Sequence, residues 1–480
     1  MISKLPRPEI ISANPFSNCK LNRALYGDIL TSVVKQYVDG CVLAIDGEWG
    51  IGKTTFVQMW QQTLINEGFH TLYFNVWEDD FISDPIIGLV NQFRHMEQSD
   101  DVKAKYAKVV SYAGKLFSGI LPTLAKGVAK KFVGDEVVEV IEAGAETAAS
   151  SFSKLIEDYQ KQCDSIEQFR NSLIDLVSYV TDQGKPLVFI VDELDRCNPH
   201  YAVKVLERIK HLFSVPNIFF VLSIDKKQLC NSICGYYGSE RFDAEEYLKR
   251  FIDIEYQLPE PDVDKFAAYL YDIYGFDDFF ASELRGKYFR RGEEKEEFLK
   301  MAYVLFKHMH LNLRQMEKVC AHIRLALLTF KENQYVNPGL VLMLMCFRLT
   351  DRNFYNKIIN RNLTVQELLN CMEDTLPRDI FIENEYNRYT VFRHAVWETA
   401  RLIVAYNLDM DGRHHEDLME KCKINDNSKE AFKLLITPKV IPQASLQEAI
   451  KWYSEQIFGN NRVLPLCYII QHIELLTSFH

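Results

Sequence analysis

The sequence predicts an α/β fold: a parallel sheet carrying a helical insertion, followed by helical C-terminal regions. Three observations predict it. Four short apolar runs rich in Val, Ile, Leu and Phe read as strands buried on both faces: CVLAIDG (41–47), HTLYFNVW (70–77), PLVFIVDEL (186–194) and NIFFVLSID (217–225). Helical patterns separate these runs, and alternating strands and helices point to a doubly wound sheet. The first run also leads directly into a glycine-rich turn, after which Phe56, Met59, Trp60 and Leu64 recur at helical spacing.

The second and third runs lie more than 100 residues apart, farther than one crossover helix requires. An insertion is therefore expected over about 95–165. Its Ala, Lys, Glu and Val content is helical, and Gly114, Gly119, Pro122, Gly127, Gly134 and Gly144 predict several short helices. Within it, LFSGILPTLAKGVAKKFV (116–133) comes nearest to a membrane span. Pro122, Lys126, Lys130 and Lys131 interrupt it, which predicts a buried or amphipathic helix instead of a crossing. After Pro259-Glu260-Pro261 the strand signals fade. Residues 262–335 read as helices, with the charge-dense RGKYFRRGEEKEEF (285–298) as a solvated loop and helix start. A second helical block follows Asn337-Pro338. The expected division is a core over 12–260, a helical region over 261–336 and a C-terminal helical domain of unassigned role over 337–480.

Composition narrows the function. A chain of 480 residues with 48% hydrophobic and 25% charged residues can build two or three ordinary globular domains. Its net charge of −11 argues against broad, sequence-independent nucleic-acid binding, although a local basic patch would escape that argument. Eleven cysteines show no CxxC or other metal-ligand spacing, and MISKLPRPEI carries no apolar signal region. Reduced thiols in a cytoplasmic protein are expected. His414-His415 before Glu416-Asp417 reads as an exposed turn beside Gly412, and His308 and His310 lack a partner cluster.

The chemistry concentrates at two strand ends. Gly47-Glu48-Trp49-Gly50-Ile51-Gly52-Lys53-Thr54-Thr55 fits GxxxxGK[ST] between a strand and a helix. Glycines allow the backbone to curl until consecutive N–H groups face phosphate oxygens, and the helix N-terminus adds partial positive charge. Lys53 would set its ammonium against the β- and γ-phosphates, and the Thr54 hydroxyl would take one position on Mg²⁺. The run PLVFIVDELDRC ends a buried strand in Asp192-Glu193. There Asp192 would hold Mg²⁺ and Glu193 would polarise the attacking water, with Asp195 competing for that role. Arg196 would orient the acidic cluster or meet a neighbouring subunit. A solvated acidic turn would look the same in isolation; the phosphate loop upstream favours the catalytic reading. Ser223 and Asp225, at the end of the fourth run, are either γ-phosphate sensors or plain strand caps. Arg250 and Arg314 are candidates to stabilise transition-state charge, from the same subunit or a neighbour.

These stretches resemble the KAP P-loop NTPases. DGEWGIGKTT is similar to that family's phosphate loop, with its Trp before the second glycine. FNVWEDDFISDPIIGLVNQF resembles its segment after the second strand, and FIVDELDRCNP its acidic strand end. FFVLSIDKKQL through YLKRFIDIEYQLPEP resembles its sensor strand and closing segment, and LNRALYGDILTSVV its entry helix. The resemblance implies a P-loop NTPase fold of the additional-strand type with a helical lid after the sheet. It implies Lys53 and Thr54 on phosphates and Mg²⁺, and Asp192 on Mg²⁺. Many relatives have Asp where this chain has Glu193, so the base stays open between Glu193 and Asp195. Bacterial relatives are associated with phage exclusion and other defence systems, while many members carry membrane helices in the insertion.

The first expectation is an ATP-driven switch in bacterial defence, oligomeric and acting on a separate effector, because the chain shows no nuclease, protease or deaminase constellation. The second is a nucleotide-dependent scaffold with little or no turnover, its association with a membrane left open. A nucleic-acid motor ranks third, given the acidic charge. Nothing in the sequence reads the base; the lack of an NKxD-type segment favours adenine over guanine.

Overall fold

The structure, a computed structural model, describes residues 8–82, 84–96, 99–120, 145–181, 184–212, 215–287, 292–334, 336–376, 378–381, 392–410, 436–460 and 465–474. They form two compact units that divide between Pro259 and Glu260.

The first unit is built on a five-stranded sheet in the order β2-β3-β4-β1-β5, every neighbouring pair parallel. The strands are β1 (Cys41–Asp46), β2 (Thr71–Asn75), β3 (Leu187–Asp192), β4 (Ile218–Ile224) and β5 (Ile254–Gln257). β4 lies between β1 and β3, which is the additional-strand arrangement. β3 and β4 are buried along their whole length, as their continuous apolar runs require. β5 is an element that the apolar-run pattern did not single out. Half-buried Ile254 and Tyr256 alternate with exposed Glu255 and Gln257, the period-two pattern of an edge strand with one solvated face.

Helices cover both faces. On one face α1 (Ala24–Gln36) and α2 (Lys53–Asn66) pack Leu30, Val34, Phe56 and Trp60 against Leu43, Ile45, Val188 and Val221. Trp60 is fully buried and its indole N–H donates to Thr31 Oγ1 at 2.9 Å, which satisfies its one polar atom. On the other face lie α3 (Pro85–Gln92), α4 (Asp100–Ile120), α5 (Ala145–Val180), α6 (Pro199–Leu212), α7 (Lys226–Tyr237) and α8 (Ala244–Leu248). Their core includes Phe93, Leu173, Leu206 and Leu229 against Phe74, Phe189 and Phe220. Asp84 caps α3 by accepting from Ile86 N at 3.0 Å and also holds Arg208 of α6 at 2.7 Å.

The insertion is helical, but its described part is not a set of short helices. α4 and α5 are 21 and 36 residues long and pack together, with Lys105 paired to Asp175 at 3.3 Å. Gly114 and Gly119 lie inside α4. A Cβ at Gly114 would meet nothing within 4 Å, so this glycine marks no turn or close approach. Pro122, Gly127, Gly134 and residues 121–133 of the nearest membrane-like run lie outside the described residues, as do Gly144 and His414–Asp417. Among the described residues, no helix is long and apolar enough to cross a membrane.

The second unit is helical throughout its described residues, and 261–336 and 337–480 contribute to one unit instead of two. The apolar helix Pro338–Thr350 is buried from Pro338 through Phe347 and packs against the helix Glu293–His308. In the charge-dense 285–298 segment, of which 288–291 lie outside the described residues, a helix starts at Glu293 as expected, but Arg285 and Glu294 are buried where solvation was expected. Arg285 is fully buried; its Nε donates to Glu294 Oε2 at 2.7 Å and its second amino group reaches Glu294 Oε1. Its remaining amino group donates to the Glu332 and Gln334 carbonyls at 3.0 and 2.6 Å. Removing one partner of such a pair strands a buried charge. We expect Arg285→Met to lower the stability of the chain by about 3–5 kcal/mol in denaturant titration, and Arg285→Met/Glu294→Leu to recover most of it.

Candidate active site

The glycine-rich turn links β1 to α2 at the carboxyl edge of the sheet. Gly50 and Gly52 have φ of 87° and 88°, a region that costs a residue with a Cβ about 1–2 kcal/mol. The turn is tied to β4 and to the segment after it. Gly47 N donates to Ile224 O at 3.2 Å, and Trp49 N donates to Asp225 Oδ2 at 3.1 Å. Lys226 N donates to Asp46 Oδ1 at 2.8 Å. Asp225 also caps α7, accepting from Gln228 N at 3.1 Å. The sequence left Asp225 open between sensor and cap; both its oxygens are engaged, one in capping and one in anchoring the loop.

Lys53, Thr54 and Thr55 form the first turn of α2. The Lys53 ammonium is buried and donates to Gly47 O and, at 3.2 Å, to Glu48 O. Burial pushes its pKa down, while Asp195, Asp225 and Asp192 push it back up. These three acids come from different places: Asp192 ends β3, Asp195 lies in the short turn Leu194–Arg196, and Asp225 follows β4.

Asp192 is almost fully buried, with Oδ2 accepting from Tyr73 Oη at 2.8 Å and Oδ1 from Glu193 N at 3.0 Å. Burial, then the Asp192 charge, pushes the Tyr73 phenol well above its ordinary pKa, so it stays a donor. Glu193 has φ 62°, unusual for a residue with a Cβ, and the chain turns sharply there. Its Oε1 lies 3.4 Å from Thr54 Oγ1 and 2.8 Å from Arg196 Nη1. Burial raises its pKa; Arg196 opposes that rise most, Asp192 and Asp195 add to it, and Asn75 lowers it by hydrogen bonding. Asp195 is buried, with its pKa raised by that burial and lowered by the Trp49 indole N–H that donates to its Oδ2. Its Oδ1 has no hydrogen-bond partner among the described residues.

The structure therefore brings Gly47, Trp49, Gly50, Ile51, Gly52, Lys53, Thr54, Thr55, Asp192, Glu193, Asp195, Arg196 and Asp225 to one edge. Ser223 pairs in register with Asp192 and Ile45, is fully buried, and its hydroxyl has no partner among the described residues. Arg250 is different. It lines a small cavity with Gly40, Cys41, Val42, Ile218 and Asp253, at the amino edge of the sheet. The six residues of β1 put about 20 Å between that edge and the loop, too far for an arginine to act on its own subunit's site. Arg314 is exposed at the start of the helix Leu313–Leu327, in the second unit.

The residue-by-residue reading overlooked Tyr73, Asn75, Trp77 and Arg23. Tyr73 and Asn75 lie on β2, with Asn75 in register with Asp192. Trp77 is half exposed, and the Arg196 guanidinium lies 5.6 Å from the centre of its ring. Arg23 holds the end of the loop through Ile51 O at 2.8 Å. Only their places inside quoted stretches, HTLYFNVW and LNRALYGDILTSVV, signalled them.

The donors suit a hard divalent cation: the Thr54 hydroxyl and the Asp192 and Glu193 carboxylates are all oxygen ligands. Trp49 is the most distinctive side chain of the arrangement, because it braces a buried acid. Trp49→Phe should cost about 1–3 kcal/mol in denaturant titration by removing a donor from buried Asp195. Combined with Asp195→Asn, it should show a coupling of about 0.5–3 kcal/mol, since the two side chains share one interaction.

Among curated proteins there is no match to the chain. Two solved structures to which it is similar are that of C. elegans PCH-2 and that of the Aeropyrum pernix ORC2 protein in ADPNP–ADP complexes. The first shares 13% identity over 70% of each chain at a TM-score of 0.29. The second shares 11% identity over 95% of this chain and 94% of that one, at a TM-score of 0.34. Both likenesses are too distant to bear on function. The family model described as KAP family P-loop domain matches residues 23–326, which is more than half of the sequence and includes the loop and acidic strand ends just described, so this chain belongs to the KAP family of P-loop domain proteins.

Proposed function

We propose that this protein binds Mg-ATP at the carboxyl edge of the sheet, hydrolyses it, and uses the cycle as a switch. The observation that supports this most is the meeting of Thr54 and Glu193 across the α2 and β3 ends, 3.4 Å apart, beside buried Lys53 and Asp192. Lys53 holds the β- and γ-phosphates and gives up its contacts with the Gly47 and Glu48 carbonyls to do so. Thr54 and Asp192 hold Mg²⁺, which when bound neutralises phosphate charge. Glu193 orients and deprotonates the attacking water. Asp195 is the weaker base, because the Trp49 indole donating to its Oδ2 lowers its basicity and no contact ties it to Thr54 as Glu193 is tied. Arg314, or Arg250 from a neighbouring subunit, supplies transition-state charge.

The switch would act in bacterial anti-phage defence as the ATPase of an oligomer, in the cytoplasm, with a separate effector protein. The helical region after Pro259 would serve as its lid. Family membership supports the nucleotide chemistry; the defence role extends what bacterial relatives are associated with. A second reading has one observation in its favour. Arg196 pairs with Glu193 at 2.8 Å, and a base held in an ion pair turns over slowly until it is released. In that reading the protein is a nucleotide-dependent scaffold.

Turnover of Mg-ATP by wild type, Lys53→Ala and Glu193→Gln tests the proposal. We expect Lys53→Ala to lose nucleotide binding, and Glu193→Gln to keep binding while kcat falls by about 10²–10⁴. A Glu193→Gln protein with wild-type turnover would move the base to Asp195. A wild type that binds Mg-ATP without turnover would favour the scaffold.

The pH profile separates the roles further. A base works as its carboxylate, so turnover falls as pH drops through its pKa. Because burial raises the Glu193 pKa, the acid limb of kcat should lie above the ordinary glutamate range. Arg196 lowers that pKa, so Arg196→Ala should move the limb to higher pH. An unmoved limb would show that Glu193 does not control the rate.

A further inference from the structure

Arg23 takes no part in the chemistry above, yet it is only 1% exposed. It precedes α1, and its guanidinium lies among backbone carbonyls of two distant segments. Nη1 donates to Ile51 O at 2.8 Å and reaches Gly52 O at 3.4 Å. Nη2 donates to Pro259 O at 3.0 Å. Ile51 and Gly52 are the last residues of the phosphate loop before α2. Pro259 is the last residue of the first unit. The same exit is tied to the other end of the loop, where Leu258 N donates to Asp46 O at 2.8 Å.

Residues 258–259 are thus fastened to both ends of the phosphate loop. Among the described residues, the guanidinium's hydrogen-bond partners are carbonyls and include no carboxylate. Burial lowers its pKa to about 10, which leaves it charged at neutral pH. Burying a cation costs several kcal/mol, and a neutral contact between the segments would avoid that cost. The planar guanidinium holds its donors in a fixed relation, so a shift of the Ile51 carbonyl must tilt the group and act on the Pro259 carbonyl. The segment Pro259-Glu260-Pro261 has two fixed φ angles, and it transmits such a displacement with little slack.

We propose that Arg23 is a positioning residue that couples the phosphate loop to the chain's exit from the first unit at Leu258–Pro259, so that nucleotide binding is felt where the chain enters the helical unit. The proposal rests on the nucleotide-binding reading. Coupling of this kind is reciprocal: a force on the exit alters nucleotide affinity to the same degree.

Hydrogen exchange of the full chain tests it, using Mg-AMPPNP as the probe and comparing peptides covering 47–56 and 254–262. In wild type both should slow on saturation, the exit peptide by about fivefold or more. Arg23→Lys keeps the charge but loses the fork. It should melt within about 4 °C of wild type. Its loop peptide should still slow, while the slowing at the exit falls by more than about half. A structural brace alone would change the melting temperature and leave the exit response intact. The proposal is overturned by a wild type whose loop peptide slows while its exit does not, a result that needs no variant. It is equally overturned if Arg23→Lys keeps the full exit response. If the wild-type loop peptide does not slow at all, the nucleotide-binding reading fails first, and that outcome is distinct from the other two.

Discussion

The acids Asp192, Asp195 and Asp225 act on a single buried ammonium, Lys53, and Glu193 completes the rim. That excess of negative charge is the constraint around which the first unit is arranged. Each carboxylate has its own donor: Tyr73 of β2 on Asp192, Arg196 on Glu193, and Trp49 of the loop on two of them, by its indole on Asp195 and by its backbone on Asp225. Burial raises the pKa of Glu193 and Asp195. The strand order serves the same end. With β4 between β1 and β3, the loop after β1 and the acids after β3 face each other across the end of β4, where Asp225 anchors the loop.

What was legible in the sequence follows from what leaves a local mark. Strands buried on both faces must be continuously apolar, so β1, β3 and β4 were readable to within a residue or two; β2, an edge strand with alternating burial, was readable because Tyr73 and Thr71 keep even its half-buried positions strand-like. β5 was not, because an edge strand needs apolar residues only on one face, and Ile254-Glu255-Tyr256-Gln257 looks polar as a run. Glycines in the insertion read as breaks, but Gly114 has open space where a Cβ would go, and a helix tolerates a glycine there. The loop and Asp192-Glu193 were readable because their chemistry demands fixed residue types at fixed spacing. Tyr73 and Arg23 bond to partners far away in sequence, so no spacing could reveal them. Arg250 could not be placed for a related reason: its motif neighbourhood suggested the site, while the direction of β5 puts it at the opposite edge of its own subunit.

Buried arginines recur as fasteners in both units. Arg285 ties the short helix in which it lies to the Glu332 and Gln334 carbonyls and neutralises itself with Glu294. Arg23 has carbonyl partners instead, and one of its nitrogens, Nε, has none among the described residues. The difference has a physical consequence. A guanidinium neutralised by its own carboxylate keeps that partner even when its carbonyl contacts shift. One that depends on carbonyls from two segments is only as comfortable as their mutual placement, and its energy changes when either moves.

The acid-rich edge poses a question for any P-loop: why should a polyanion bind where carboxylates already outnumber cations? Lys53 and Arg196 are the cations among the charges that shift one another's pKa there, and Arg196 is occupied by Glu193. The loop's N–H groups and the α2 dipole add only partial charges. A divalent ion between Asp192 and a phosphate would turn the main repulsion into a bridge. Proton uptake by Glu193 or Asp195 would weaken the rest, at the expense of the base. The raised pKa values of the acids and the oxygen-only donor set then express one design. Under the proposed function the site would accept its anion as a metal complex, with Arg196 as the counter-ion that Glu193 exchanges for its part in turnover.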